Sequence, residues 1–142
     1  MIAATMTIRV RYAETDKMQV AHHSKYLEWY ECARTEMMRE IGYPYKALEQ
    51  DGVMLPLIET NCRYIQPAVY DDLLEITAIL AGLPRSTIKI DYLLKRSSDQ
   101  ALLAEAYTIH AFVNKGGQAV RPPKKFMNIL RTNFEKGRIE NA

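Results

Sequence analysis

The sequence predicts an α+β architecture, an antiparallel sheet of about five strands wrapped around one long central helix, with a C-terminal helix added. Three observations predict it. A short segment of two-residue periodicity opens the chain, one long run of three-to-four-residue periodicity follows it, and from residue 55 to residue 114 the pattern returns to strands broken by turn residues. Consecutive strands joined by short turns pair antiparallel, and a single long helix must bury its apolar face against them.

The first strand is Thr7 to Tyr12, with Ile8, Val10 and Tyr12 on one face and Thr7, Arg9 and Arg11 on the other. From Ser24 to Ile41 the apolar positions Leu27, Tyr30, Ala33, Met37 and Ile41 mark one face of a helix, and Gly42 with Pro44 supplies its stop. A short helical turn is expected at Tyr45 to Gln50. Strands then run from Leu55 to Ile65, Leu73 to Leu80, Thr87 to Lys95 and Leu102 to Asn114, each ended by Pro, Gly or a Ser-Ser-Asp cluster. The last helix starts near Pro122-Pro123, where proline suits a first turn, and places Phe126, Ile129, Leu130 and Phe134 on one side. A sheet of this kind has open edges and an uncovered face, which predicts pairing with a second copy as a dimer or tetramer.

The totals narrow the function. The 142 residues suit one domain, residues 1–142, and a composition of 48% hydrophobic and 25% charged residues is that of a globular chain. A net charge of +2 gives no reason to expect nucleic acid or a membrane as partner, and Lys124, Lys125, Arg131, Lys136 and Arg138 read as a solvated helix face. Cys32 and Cys62 stand outside any CxxC pair, so reduced thiols and a cytoplasmic location are expected. No leader pattern and no window of membrane-spanning length occurs, so the protein is expected to be soluble and unprocessed. With three histidines and no HExxH or paired cysteines, no metal site is expected.

The stretch DKMQVAHHSKYLEWYE, Asp16 to Glu31, carries the chemistry. Ser24 is a fair N-cap, so the long helix begins near His23 to Lys25, and Glu28 and Glu31 suit its positive end. Amides at a helix start form a site for a carbonyl oxygen that becomes negative. Asp16, folded back over that end by a compact loop, would be placed to attack the carbonyl or to activate water. The same residues also fit a turn-forming aspartate and two solvated histidines. The residues alone leave both readings open.

The run RVRYAETDKMQVAHHSKYLEWYECARTEMMREIGY closely resembles the N-terminal signature of hotdog-fold acyl-CoA thioesterases of the 4-hydroxybenzoyl-CoA thioesterase class. LPLIETNCRYIQPAVYDDLLEI resembles the second and third strands of its bacterial branch, and LLAEAYTIHAFVNKGGQAVRPP its final hairpin, so nearly the whole chain to Pro123 is covered. The resemblance implies a hotdog fold and hydrolysis of an acyl-CoA or acyl carrier protein thioester. It implies that Asp16 is the essential carboxylate, as nucleophile or general base, that His23 orients substrate or handles a proton, and that Tyr12 lines or supports the site. Read from its strand alone, Tyr12 is a core residue.

It further implies that a pantetheine arm enters between two subunits. Arg85, Ser86 and Lys89 are then candidates for the nucleotide phosphates, and Glu59, alternating with Asn61 and Arg63, for the second subunit's site. Coenzyme A enters as part of the substrate, with no separate cofactor. The sequence departs from the branch in two places, with Gln19 where glycine is usual and His22 where an aromatic is usual. Two other readings fit the same fold. A hydratase or dehydratase acting on enoyl or hydroxyacyl thioesters would carry its aspartate and histidine closer together beside Asn-Pro, which is absent; a non-catalytic acyl-CoA binding module would keep the pocket and lose the chemistry.

Overall fold

A computed structural model describes residues 1–141, with side chains through residue 136. Arg138 of the expected basic face, and the last residue of the expected domain, lie outside those bounds. The elements in order are β1 (Ile2–Arg9), a 3-10 turn (Tyr12–Glu14), α1 (Ser24–Glu40), α2 (Tyr45–Gln50), β2 (Leu57–Tyr64), β3 (Leu73–Leu80), β4 (Thr87–Arg96), β5 (Leu102–Ala111) and α3 (Lys124–Asn141). The strands form one five-stranded sheet in the order β1-β3-β4-β5-β2, every pair antiparallel.

Strand parity decides which face is buried. Leu74, Ile76, Ala78 and Leu80 of β3 and Ile88, Ile90, Tyr92 and Leu94 of β4 are all buried on one side, and α1 lays Trp29, Tyr30, Ala33 and Met37 over it. Tyr30 stacks on Tyr92 with ring centroids 4.7 Å apart. The alternate residues form the outer face, where Arg63 meets Glu105 at 3.4 Å and Lys89 meets Asp91 at 3.9 Å.

Gly42 ends α1 as its position predicts. At φ 88° it lets Tyr43 N–H reach the Met38 carbonyl at 3.1 Å and its own N–H reach the Arg39 carbonyl at 3.0 Å, which satisfies the last carbonyls. α3 closes that end of the core through Phe126, stacked on Tyr43 at 5.1 Å. No helix among the described residues is long and apolar enough to cross a membrane.

Several expectations are corrected. β1 starts at Ile2 and ends at Arg9, because Val10 is bound at both ends by Asp71 and Asp72 and the chain then leaves the sheet. Tyr12 therefore sits in the 3-10 turn at 70% exposure and is not a core residue. Leu27 is 40% exposed, since the buried face of α1 is centred on Tyr26, Trp29, Tyr30 and Ala33. Ser24 is the first helical residue instead of the cap; His23 holds the cap position, no acidic residue lies in the first turn, and Glu28 pairs with Lys25 at 3.4 Å.

Candidate active site

The segment between β1 and α1 is a small hairpin built around Asp16. A Thr15–Ala21 bridge forms its stem, Asp16 N–H donates to the Val20 carbonyl and Gln19 N–H to the Asp16 carbonyl, both at 2.9 Å. The Asp16 carboxylate closes the turn from inside: Oδ1 accepts the Met18 amide at 2.8 Å and the Val20 amide at 3.3 Å. Gln19 stands at φ 63°, the left-handed conformation that this type of loop requires and that glycine reaches most cheaply. Gln19 thus adopts the backbone conformation that glycine at that position would supply. Asp16 is exposed, and its Oδ2 accepts no hydrogen bond among the described residues.

The hairpin is held against the chain that leads into β3. Val20 bridges Val69, Ala21 N–H donates to the Ala68 carbonyl at 2.8 Å, and Tyr70 N–H to the Gln19 carbonyl at 2.9 Å. Tyr12 packs edge-on against Tyr70 at 5.6 Å, and its carbonyl takes both the Thr15 hydroxyl and the Thr15 amide. Its place is therefore at the base of the Asp16 turn.

At the start of α1 the two histidines divide the work. His22 Nδ1 accepts the Ser24 amide at 3.2 Å and lies 2.8 Å from the Ser24 hydroxyl, so the His22 ring serves the cap that the His23 side chain does not. Lys25 and Tyr26 amides turn back to the carbonyls of His22 and His23. Of the amides from His23 to Tyr26, only the His23 N–H has no partner among the described residues. The His23 ring stacks on His22 at 4.2 Å and lines a cavity of about 260 Å³ with Val20, Ala21, Tyr26, Tyr64, Ile65, Gln66 and Pro67. No hydrogen bond joins Asp16 to His23.

Glu14, which sequence reasoning passed over, is the buried carboxylate of this region at 4% exposure. Its Oε1 accepts the Arg11 amide at 2.8 Å and its Oε2 the Trp29 indole at 3.0 Å. Burial works against its charged form, but the Arg11 amide, the indole and the Arg11 guanidinium outweigh it and hold the carboxyl below its ordinary range. A second buried polar chain runs from Arg34 through the Tyr92 and Thr108 hydroxyls to His110, whose other nitrogen faces the Leu55 carbonyl. Burial, and then the Arg34 charge, lowers the His110 pKa.

Arg85 and Ser86 line a groove of about 570 Å³ in which the β3–β4 turn faces Ala119, Val120, Arg121, Pro122 and Met127. Arg121 is a second cation there that sequence reasoning missed. Lys89 is not in the groove. It points from the outer face of the sheet, 4.7 Å above the Tyr107 ring, and Tyr107 in turn donates its hydroxyl to Glu59 at 2.7 Å. Glu59 and Lys89 therefore belong to the face away from α1, apart from both Asp16 and the groove.

The groove and the Asp16 hairpin lie at opposite ends of β3, whose eight residues span about 25 Å. Among the described residues no three His, Cys, Asp or Glu side chains are grouped closely enough to hold a metal ion.

Comparison with known proteins places this geometry in context. Residues 10–130 match the thioesterase-like superfamily. A protein of Aquifex aeolicus (strain VF5) is 34% identical over 123 residues, 87% of this chain and 94% of that one. The acyl-CoA thioester hydrolase YbgC of Escherichia coli O157:H7 is 36% identical over 76 residues, 54% of this chain and 57% of that one. In three dimensions, 4-hydroxybenzoyl-CoA thioesterase from Pseudomonas sp. strain CBS-3 superposes with a TM-score of 0.82 at 20% identity, covering 91% of this chain and 99% of that one. That likeness concerns the fold.

Proposed function

This chain belongs to the thioesterase-like superfamily and is a hotdog-fold thioesterase, and from that premise we propose that it hydrolyses acyl-CoA thioesters with Asp16 as the reacting carboxylate. The observation that carries the proposal is the state of Asp16. One carboxylate oxygen is consumed by the turn amides, and the other faces outward without a partner among the described residues. The substrate carbonyl oxygen meets the His23 N–H at the positive end of α1, where the helix dipole and the amide favour the developing oxyanion.

Two routes give the same products. In one, Asp16 Oδ2 attacks the carbonyl carbon, the C–S bond breaks, the thiolate takes a proton, and water hydrolyses the resulting anhydride. In the other, Oδ2 takes a proton from water as the water attacks, and the carboxylic acid and thiol leave. The His23 ring, held beside the carbonyl site, orients the substrate or passes the proton, and Tyr12 supports the hairpin from below. Neither route calls for a metal or a bound cofactor; coenzyme A arrives as part of the substrate.

The phosphates of coenzyme A are assigned to Arg85, Ser86 and Arg121. An extended coenzyme A need not then bridge the two ends of one chain. β2 is hydrogen-bonded on one side only, to β5, and it leaves Leu57, Ile58 and Tyr64 exposed. Antiparallel pairing of two β2 edges about a two-fold axis brings the groove end of one subunit toward the Asp16 end of its partner. We therefore take the working form to be at least a dimer with shared sites. The free thiols Cys32 and Cys62 suit a reducing, cytoplasmic setting.

The test is thiol release across short, long, branched and aromatic acyl-CoAs, beside the same acyl groups on acyl carrier protein. Turnover of at least one acyl-CoA is expected. Tight acyl-CoA binding with no turnover of any thioester would instead favour a binding module.

A further inference from the structure

Glu14 stands two residues before Asp16, buried, and takes no part in the steps above. Its contacts reach three elements. Oε1 holds the Arg11 amide at the head of the 3-10 turn, with the Arg11 guanidinium Nε 3.5 Å away. Oε2 takes the indole N–H of Trp29 in the second turn of α1 at 3.0 Å, and the Glu14 carbonyl takes the His22 amide at 2.9 Å. Among the described residues, the bond to Trp29 is the only side-chain hydrogen bond between the segment from Tyr12 to Ala21 and α1. The other anchors of the hairpin go to residues 68–70.

We infer that Glu14 is a positioning residue for thioester hydrolysis: its carboxylate, shared between Trp29 and the Arg11 amide, fixes where Asp16 stands relative to the first turn of α1. The inference rests on the reading of Asp16 given above. Both partners of the Glu14 side chain are N–H donors. A carboxylate accepts from both, whereas a carboxamide of the same shape must turn its NH₂ toward one of them. The mismatch loosens the hairpin from the helix without touching the groove that holds the phosphates. Displacement of a reacting group by about 1 Å costs on the order of 100-fold in rate.

The experiment measures kcat and KM on the best acyl-CoA for Glu14→Gln, Trp29→Phe and the double variant, with melting and circular dichroism to establish folding. Glu14→Gln is expected to lower kcat by about 10- to 100-fold while KM changes by no more than about threefold. Trp29→Phe lowers kcat less. The double variant recovers part of the loss of Glu14→Gln, because with the indole donor gone the carboxamide can turn its oxygen to the Arg11 amide. A rescue of that kind is not expected from a residue that only supports the fold.

A folded Glu14→Gln enzyme with unchanged kcat overturns the inference, as does a double variant whose losses simply multiply. Should Glu14→Gln fail to fold, Trp29→Phe decides: an unchanged kcat overturns the inference. Asp16→Asn runs alongside. If it retains full rate, the reading of Asp16 fails; if it is inactive while Glu14→Gln is fully active, the positioning role alone fails.

Discussion

Gln19 shows how a single backbone angle settles a question the sequence opens. A residue with a Cβ in the left-handed region carries a cost of about 1–2 kcal/mol, and here the Asp16 carboxylate and four hairpin amides hold it there. The substitution Gln19→Gly is therefore expected to leave thiol release intact and to move stability by no more than about 1 kcal/mol. A β-branched Gln19→Val is expected to lower the melting midpoint and the rate together. Urea unfolding and the release assay check both. Glu14 lay beyond sequence reasoning for a physical reason: a glutamate in a polar stretch reads as solvated, and its indole partner is fifteen residues away with nothing in the spacing to link them.

At the scale of elements, periodicity exposed α1 and the three inner strands because each has a buried and a less buried face. Ile88, Ile90, Tyr92 and Leu94 are buried in strict alternation. β2 breaks that rule, with Ile58 57% and Tyr64 49% exposed, since it is an edge strand, although Cys62 meets Tyr30 and Tyr64 meets Tyr26 of α1. Strand parity puts Lys89 and Glu59 on the outer face of the sheet, but parity cannot say which face a site occupies.

Under α1 the buried His110 makes a pH prediction. Its folded pKa is lowered by burial and by Arg34, so the unfolded chain binds the extra proton more readily. The associated stability is present above the unfolded histidine value of about 6.5 and is lost as pH falls from there toward the lower folded value. Denaturant midpoints measured between neutral and mildly acidic pH are expected to drop, and His110→Gln is expected to flatten that part of the profile. An unchanged slope would count against it.

For the whole molecule, the separation of the groove from Asp16 along one chain is the feature on which the proposed dimer rests. Arg121 was not legible beforehand, because the groove depends on segments that meet only after folding, the β3–β4 turn and the chain after β5, whereas a site between two subunits was already implied by the family resemblance. Ile58→Lys, which puts a charge on the exposed edge, is expected to yield monomers by light scattering and to lose turnover with them. Arg85→Ala with Arg121→Ala is expected to raise KM for acyl-CoA about 100-fold, in line with two charge-assisted contacts of about 1.5 kcal/mol each. The same pair should leave a thioester of N-acetylcysteamine, which lacks the nucleotide, unaffected.

The spacing from Asp16 to His23 and the change of period at Ser24 were visible in the sequence, whereas the division of Asp16 into one bound and one unbound oxygen was not. That division also makes Asp16→Asn a sharp probe, since asparagine keeps an oxygen for the Met18 and Val20 amides and loses only the charged one to which the proposal assigns the reaction. The decisive measurement is the single-turnover rate of thiol release by Asp16→Asn on the best acyl-CoA. The expected result is a folded protein that binds substrate and reacts about 100- to 10,000-fold more slowly; a rate equal to that of the unaltered protein would contradict the role given to Asp16.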